Sequence, residues 1–341
     1  MYWPWIARLV ARCVRAASPV FLMLLTTAPF ITPVVAADPP TRGMWVSAQA
    51  LESSEGIRRA LAATVAAGVP VVVASAPLYP EPGPDRFLEL VQQAHEHQLL
   101  VFASIDIDRA TPAGEVPASR QHVVYQHPEW LMVPRALAAE LLPLDTRSPE
   151  YVGRLARWSR GHGIDGVYLS PVPNDAPAYV AALVSSALKR YPVDGIQLEA
   201  ARYPADDFDY GRQSIDAFRQ TTRPSLSSAE RARVDSDELL DPFAYPNAFP
   251  DAWRRFRQTQ LTRLVQAVRD ATTSATPGIP VVAGVSGSIE TDLQNHFQDW
   301  RAWIEEHLID GVSIRAGSTA TIVADPADMS RAEADPISSA R

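Results

Sequence analysis

Cysteine is almost absent: the 341-residue chain has one, Cys13. A disulfide framework, a thiolate nucleophile and a cysteine-based metal site are therefore excluded for the body of the protein. Cys13 also precedes the longest apolar run instead of following it, which argues against lipid attachment there. Glycine is scarce beside proline, 16 against 30, so the connections read as stiff loops and long excursions rather than tight hairpins. Among seven histidines the close pair is His95 and His97, and positions two apart do not share a helix face. Both read as structural or solvated, so no metal site is signalled and no cofactor is implied. No segment recurs at a fixed period, which excludes repeat architectures.

What is present begins with a leader. Arg8, Arg12 and Arg15 form a basic start, residues 21–35 are largely apolar and uncharged, and Val35-Ala36-Ala37 offers small residues for cleavage. Residues 1–37 thus read as an export signal. The alternative is a membrane anchor, but Pro29 and Pro33 interrupt the run, which falls short of the roughly 20 residues needed to span a bilayer. The expected location is periplasmic or extracellular, with membrane contact only through an uncleaved signal. Net charge is −8 for the whole chain, and loss of the three leader arginines leaves the remainder more acidic still. A nucleic-acid partner is excluded on that ground. Hydrophobic residues at 47% and charged residues at 21% are ordinary for a globular protein, so a sizeable core is available and global disorder is excluded.

From Thr41 onward β-rich runs alternate with amphipathic ones, the pattern of a parallel sheet covered by helices. Strands are expected at 43–48, 70–76, 99–107, from 194 onward, 280–286 and 311–315, with a short extended piece at 166–170. Helices are expected at 55–67, 85–97, 149–162, 176–190, 251–271 and 293–307. The run PVVVASA at 70–76 is the continuous apolar kind found in strands buried on both faces. Residues 108–148 are long and irregular for a connector and read as a rim loop carrying His127-Pro128-Glu129-Trp130. Beyond Arg315 the chain is rich in Ala, Ser, Asp and Pro without periodicity, and 316–341 reads as an irregular tail.

In parallel α/β barrels, side chains at the carboxyl ends of strands converge on the rim that holds active sites. Alternation through Ile196-Gln197-Leu198-Glu199 puts Gln197 and Glu199 on one face. If that face is the interior, Glu199 sits at the mouth, where a carboxylate serves glycoside hydrolysis as nucleophile or base. Arg202 and Tyr203 follow and would hold it ionised or orient a sugar. Its partner acid would come from another strand end, with Asp106 and Glu290 the candidates by position. Asp207 and Asp209 would bind sugar hydroxyls, and Trp130 would offer a platform. The alternatives are structural: Glu199 as a buried ion pair with Arg202, Asp194 as a turn or cap at the opposite rim, Trp130 and Trp300 as packing residues.

Several longer motifs resemble those of the glycosyl-hydrolase-like family 10 proteins, over residues 42–315. They are HPEWLMVPRALAAEL at 127–141, RSPEYVGRLARW at 147–158, VYLSP at 167–171, YPVDGI at 191–196 with RYPADDFDYG at 202–211, and FQDWRAW at 297–303. The resemblance implies a TIM-type (β/α)8 barrel of the bacterial envelope acting on glycans by carboxylate acid/base catalysis. Departures fall where the chemistry would be. The family typically reads DGIHLD before its RYP, whereas Gln197 and Glu199 stand at the histidine and aspartate positions here. Strand two reads ASAPLYP and strand three VFASIDI in place of more polar motifs, and the last two β/α units are missing. With about six barrel strands, the sheet is expected to stay open between its first and last strands, lowering stability or recruiting a second copy through the exposed edge. These departures keep a second function in view, a non-catalytic glycan-binding or scaffold protein on a degenerate hydrolase fold.

Overall fold

The computed structural model describes residues 41–324 except 80–82, 113, 116, 118 and 200; the leader and most of the predicted tail lie outside the described residues. The strands are β1 (Thr41–Val46), β2 (Val71–Ser75), β3 (Leu100–Ile105), β4 (Arg109–Pro112), β5 (Gly166–Tyr168), β6 (Gly195–Leu198), β7 (Val281–Val285), β8 (Gly311–Ala316) and β9 (Thr319–Val323). Six of them run parallel in the order β1-β2-β3-β6-β7-β8. The helices that cross between them are α1 (Ser54–Ala66), α2 (Arg86–Glu96), α3 (Pro149–Gly161), α4 (Ala176–Arg190), α5 (Arg212–Thr222), α6 (Ser228–Glu238), α7 (Pro250–Ala275), α8 (Ile289–His296) and α9 (Trp300–Glu305). The architecture is a (β/α) barrel of the TIM type with fewer than eight parallel strands.

Strand alternation accounts for both faces of this sheet. Trp45, Val71, Val73, Phe102, Val282, Ala320 and Ile322 point inward and form one buried cluster. Their neighbours Val72, Ala74, Val101, Ala103, Ile196 and Leu198 point outward into the core beneath the helices. A run such as Val71-Val72-Val73 is apolar throughout because both of its faces are covered. Helix starts follow local chemistry: Ser53 accepts from the Gly56 N–H, Asp85 from Leu88 and Ser148 from Tyr151, while Ser227 and Glu230 form a capping box.

The expectation of an open barrel is corrected. β9 pairs antiparallel with β8 on one side and with β1 on the other, so the sheet closes on itself and leaves no free edge. This strand lies in the stretch expected to be irregular tail. It is reached by a two-residue turn, Gly317-Ser318, in which Gly317 takes φ +61, a left-handed value that glycine adopts without strain. The short piece at 166–170 does not enter the barrel, because β3 pairs directly with β6. Instead β5 pairs antiparallel with β4 above the rim. The helix expected at 293–307 is two helices. Phe297 adopts a left-handed φ of +55 that ends α8, and Asp299 caps α9 by accepting from the Ala302 N–H. The excursion before residue 250 holds α5 and α6.

Asp194 lies at the opposite rim and is structural, but it braces two strands where a turn or a cap of the preceding helix was expected. Its carboxylate accepts from the Val101 N–H at 3.0 Å and meets His95 at 2.8 Å, tying the start of β6 to β3. Asp310 repeats the device before β8, accepting from the Val281 N–H at 2.8 Å and pairing with Arg269.

Candidate active site

Glu199 follows the last residue of β6 at the C-terminal mouth of the barrel. Its backbone N–H donates to the Ile105 carbonyl, continuing the β3–β6 ladder one step beyond the strand. Gln197, one inward position below, is buried and donates from Nε2 to Glu199 Oε2 at 2.7 Å. A Cβ added to Gly284 on β7 would lie 3.3 Å from the same carboxylate oxygen, so Glu199 lies over a strand position that has no side chain. The ion pair that Arg202 forms among the described residues is with Asp165, at 3.9 Å, and not with Glu199.

Asp106 is the residue after β3, in register beside Glu199 on the neighbouring strand. Parallel strands lie about 4.8 Å apart, so the two carboxyl-bearing residues leave the sheet side by side. Arg109 holds Asp106 Oδ2 with Nε and Nη2, at 2.9 and 2.5 Å, and reaches Asp165 with Nη1 at 3.1 Å. Burial pushes the Asp106 carboxyl above the usual carboxylate range, with Arg109 opposing the shift. Asp106 also lines a cavity of about 250 Å³ together with Ser75, Ser104, Tyr79, His122 and Tyr179. In its wall Tyr79 lies against His122 with ring centroids 4.3 Å apart, and its hydroxyl is 3.2 Å from that of Tyr179. Burial lowers the His122 pKa to about 4, which leaves the ring neutral at ordinary pH.

Below Glu199 the barrel interior carries polar atoms with no protein partner: Gln197 Oε1, Ser104 Oγ, Ser313 Oγ and Trp45 Nε1 are buried and unpaired. Buried polar groups are almost always satisfied, so these four, sealed on the inner wall beneath the carboxylate, are exceptions to that rule. Arg315 covers Trp45 from the mouth, its guanidinium carbon 4.2 Å from the ring centroid. Among the described residues no cluster of His, Asp and Glu side chains is arranged to hold a metal ion.

The other expected site residues lie elsewhere. Glu290 is exposed in the first turn of α8, where it accepts a long hydrogen bond from Gln294 of the same helix. Tyr203 is fully buried, donates to Asp209 at 3.1 Å and packs edge-on against Phe297. Asp209 is equally buried and accepts from Ser170, Ser214 and Tyr203. A ligand cannot reach either side chain, so their expected contact with sugar is corrected to a structural one: they lock the loop after β6. Asp207 is half-buried in that loop and its carbonyl accepts from the Arg135 N–H. Trp130 is 7% exposed and stacks on His127 with centroids 3.7 Å apart, which is the packing alternative, and Trp300 is buried as well.

Sequence reasoning places Asp108 beside Asp106 past the end of the third strand but gives it no role; it is fully buried. Its Oδ2 accepts from the Arg202 N–H at 2.8 Å, its Oδ1 has no partner, and burial pushes the carboxyl well above its ordinary range. The run Ile105-Asp106-Ile107-Asp108 held the signal, an acid at every second position past a strand end. Tyr79 and His122 carried none, since separate loops bring them together.

Solved structures with similar folds include glycosidases. The PgaB (BpsB) glycoside hydrolase domain from Bordetella bronchiseptica is 12% identical with a TM-score of 0.45, over 81% of this chain and 74% of that one. The β-galactosidase of Marinomonas ef1 is 12% identical with a TM-score of 0.52, over 80% of this chain. That of Bacillus circulans sp. alkalophilus is 14% identical with a TM-score of 0.52, over 82%. The chain spans 40% of the length of each β-galactosidase, and at these identities the likeness is one of fold. No curated protein matches the chain. The sequence model described as glycosyl hydrolase-like 10 matches residues 77–334, more than half of the chain, and the protein therefore belongs to the glycosyl hydrolase-like 10 family.

Proposed function

We propose that the protein is a glycoside hydrolase acting on an envelope or extracellular glycan, with Glu199 as nucleophile or base and Asp106 as the partner acid. The observation that carries this reading is their adjacency: consecutive barrel strands β3 and β6 deliver the two carboxyl groups to one mouth, one of them in a cavity. Hydrolysis through two carboxyl groups needs one ionised and one able to give a proton. The burial that raises the Asp106 pKa favours its role as the donor. In such chemistry a carboxyl separation of about 5 Å gives a covalent glycosyl intermediate with retention of anomeric configuration, and roughly 6.5–9.5 Å gives inversion.

Hydrolysis of a panel of bacterial polysaccharides, read by new reducing ends, tests the assignment. Glu199→Gln is expected to lower kcat by at least about a hundredfold, the scale seen when one essential acid or base is lost. Equal activity in wild type and Glu199→Gln removes Glu199 from the chemistry. Export belongs to the same proposal and rests on residues 1–37; an intact mass for the chain in an envelope fraction that begins near Asp38 is the expected result. Among the described residues no helix is long and apolar enough to cross a membrane.

One observation favours a second reading, a glycan-binding protein without turnover: the Asp106 carboxylate is held twice by Arg109, and that of Glu199 is engaged by Gln197. Retention of a glycan with no new reducing ends over days would select it.

A further inference from the structure

A second cavity, of about 390 Å³, opens on the same rim beyond Phe297. Loops after β3, β6 and β7 and the first turns of α7 build it, and its lining includes Arg135, Arg254 and Arg257 against a single acid, Asp206. Three cations to one anion is unusual on a chain whose net charge is −8.

Arg257 is the least expected of the three. It is 4% exposed, and its guanidinium is enclosed by aromatic rings, 4.2 Å from the Phe297 centroid and 4.7 Å from that of Trp253. Nη1 donates to the Asp206 and Phe208 carbonyls, at 2.5 and 2.9 Å, while Nε is buried without a partner. Among the described residues no ion pair is formed by Arg257, Arg254 or Arg135. The acids whose fields reach Arg257 are Asp209, shut behind Tyr203, Asp206, which is exposed, and the half-buried Asp207. Arg135 donates to Asn247 Oδ1 at 2.7 Å and lies over the Tyr210 ring, and Arg254 is exposed at the entrance. A buried cation with no carboxylate in contact is balanced only by acids at a distance, and planar guanidinium groups bind oxyanions in pairs of parallel hydrogen bonds. The uncapped start of α7, where Pro250 lines the cavity, adds positive potential of the same sign.

We propose that this cavity binds an acidic group, carboxylate or phosphate, carried by the glycan that enters the barrel mouth. The inference rests on the glycan reading above and deepens it: the substrate class is an acidic polysaccharide rather than a neutral one. Phe297 links the two sites, since it walls the cavity and packs on Tyr203, four residues past Glu199.

Calorimetric titration of the full chain with D-glucuronate, D-glucose 6-phosphate and D-glucose tests it. The expected result is binding of one or both charged sugars and not of glucose, weakened by added salt. Whichever charged sugar binds more tightly identifies the acidic group. Arg254→Ala, at an exposed position, is expected to weaken that binding roughly tenfold, the scale of one lost charge-assisted hydrogen bond. Asp206→Asn is expected to tighten it by removing the competing acid. Equal binding of glucose, no binding of either charged sugar, or an unchanged affinity in both variants overturns the proposal. Glu199→Gln is expected to bind the charged sugars as wild type does, so failure here leaves the catalytic assignment standing, and failure of hydrolysis leaves this one standing.

Discussion

Glu199 owes its place to a residue without a side chain. Gly284 leaves room on the neighbouring strand for the carboxylate, and Gln197 fixes one of its oxygens from below. The alternation that put Gln197 and Glu199 on one face was legible in four letters of sequence, because a strand's period leaves no other choice. The partners of Arg202 were not legible, since Asp165 and Asp108 lie 37 and 94 positions away in the chain and only the fold brings them near. Asp108 gives the residue scale its own test. Its folded carboxyl titrates well above the ordinary value of 3.8, so from that value upward the unfolded chain loses a proton that the folded chain keeps. Stability contributed by the protonated group is therefore complete below about pH 4 and is lost as pH rises through the folded pKa, at about 1.4 kcal/mol for each pH unit between the unfolded and folded values. The charged groups around it, Asp106, Arg109 and Arg202, stay in place in Asp108→Asn, whose side-chain oxygen can still accept from the Arg202 N–H. Urea unfolding from pH 4 to pH 8 is expected to show the variant gaining on wild type as pH rises. A constant difference across that range would mean that Asp108 is ionised in the fold.

At the scale of elements, the six parallel strands were legible because short β-rich runs alternate with amphipathic helical ones, most plainly in the apolar Val71–Ser75 and Val281–Val285. What the pattern concealed was closure. The letters around Gly317-Ser318, β8 before and a second short β-rich run after, form a recognised hairpin signal. Their small, polar composition reads as tail because β9 places Ala320 and Ile322 inside the barrel and leaves Thr319 and Thr321 facing outward. The split between α8 and α9 was hidden for another reason: a phenylalanine in a left-handed conformation has no propensity signal and is held there by the packing of its ring on Tyr203 and Arg257. Inside the barrel the same jigsaw logic fixes Gly195 on β6. A Cβ there would meet the Phe102 ring of β3 at 2.5 Å. Gly195→Ala is expected to cost about 1–3 kcal/mol by overpacking, and Phe102→Leu is expected to recover part of it. Denaturant midpoints of the single and double variants measure this; simple additivity would show that the ring and the glycine do not share that space.

For the whole molecule, closure by β9 replaces an expectation of exposed edges with one of a self-contained barrel. Every barrel strand, β9 included, has a hydrogen-bonded neighbour on both sides, so the barrel sheet itself leaves no row of unpaired backbone groups to template another chain. The chain from residue 38 onward is accordingly expected to be monomeric and to unfold in one transition. The contribution of β9 can be isolated by ending the chain after Ala316. That cut removes Ile322 and Val323, each buried and each worth about 1.5–3 kcal/mol of apolar transfer, along with the ladders to β1 and β8. Against a typical total stability of about 5–15 kcal/mol, such a loss takes a large share and uncovers two edges together with the inward faces of Trp45 and Val282. The shortened protein is expected to melt at lower temperature and to associate, as read by light scattering, with β1 of one copy offered to β8 of another. If it stays monomeric and melts where the longer chain does, the antiparallel strand is dispensable, and the remaining six parallel strands must hold their shape by helix packing alone.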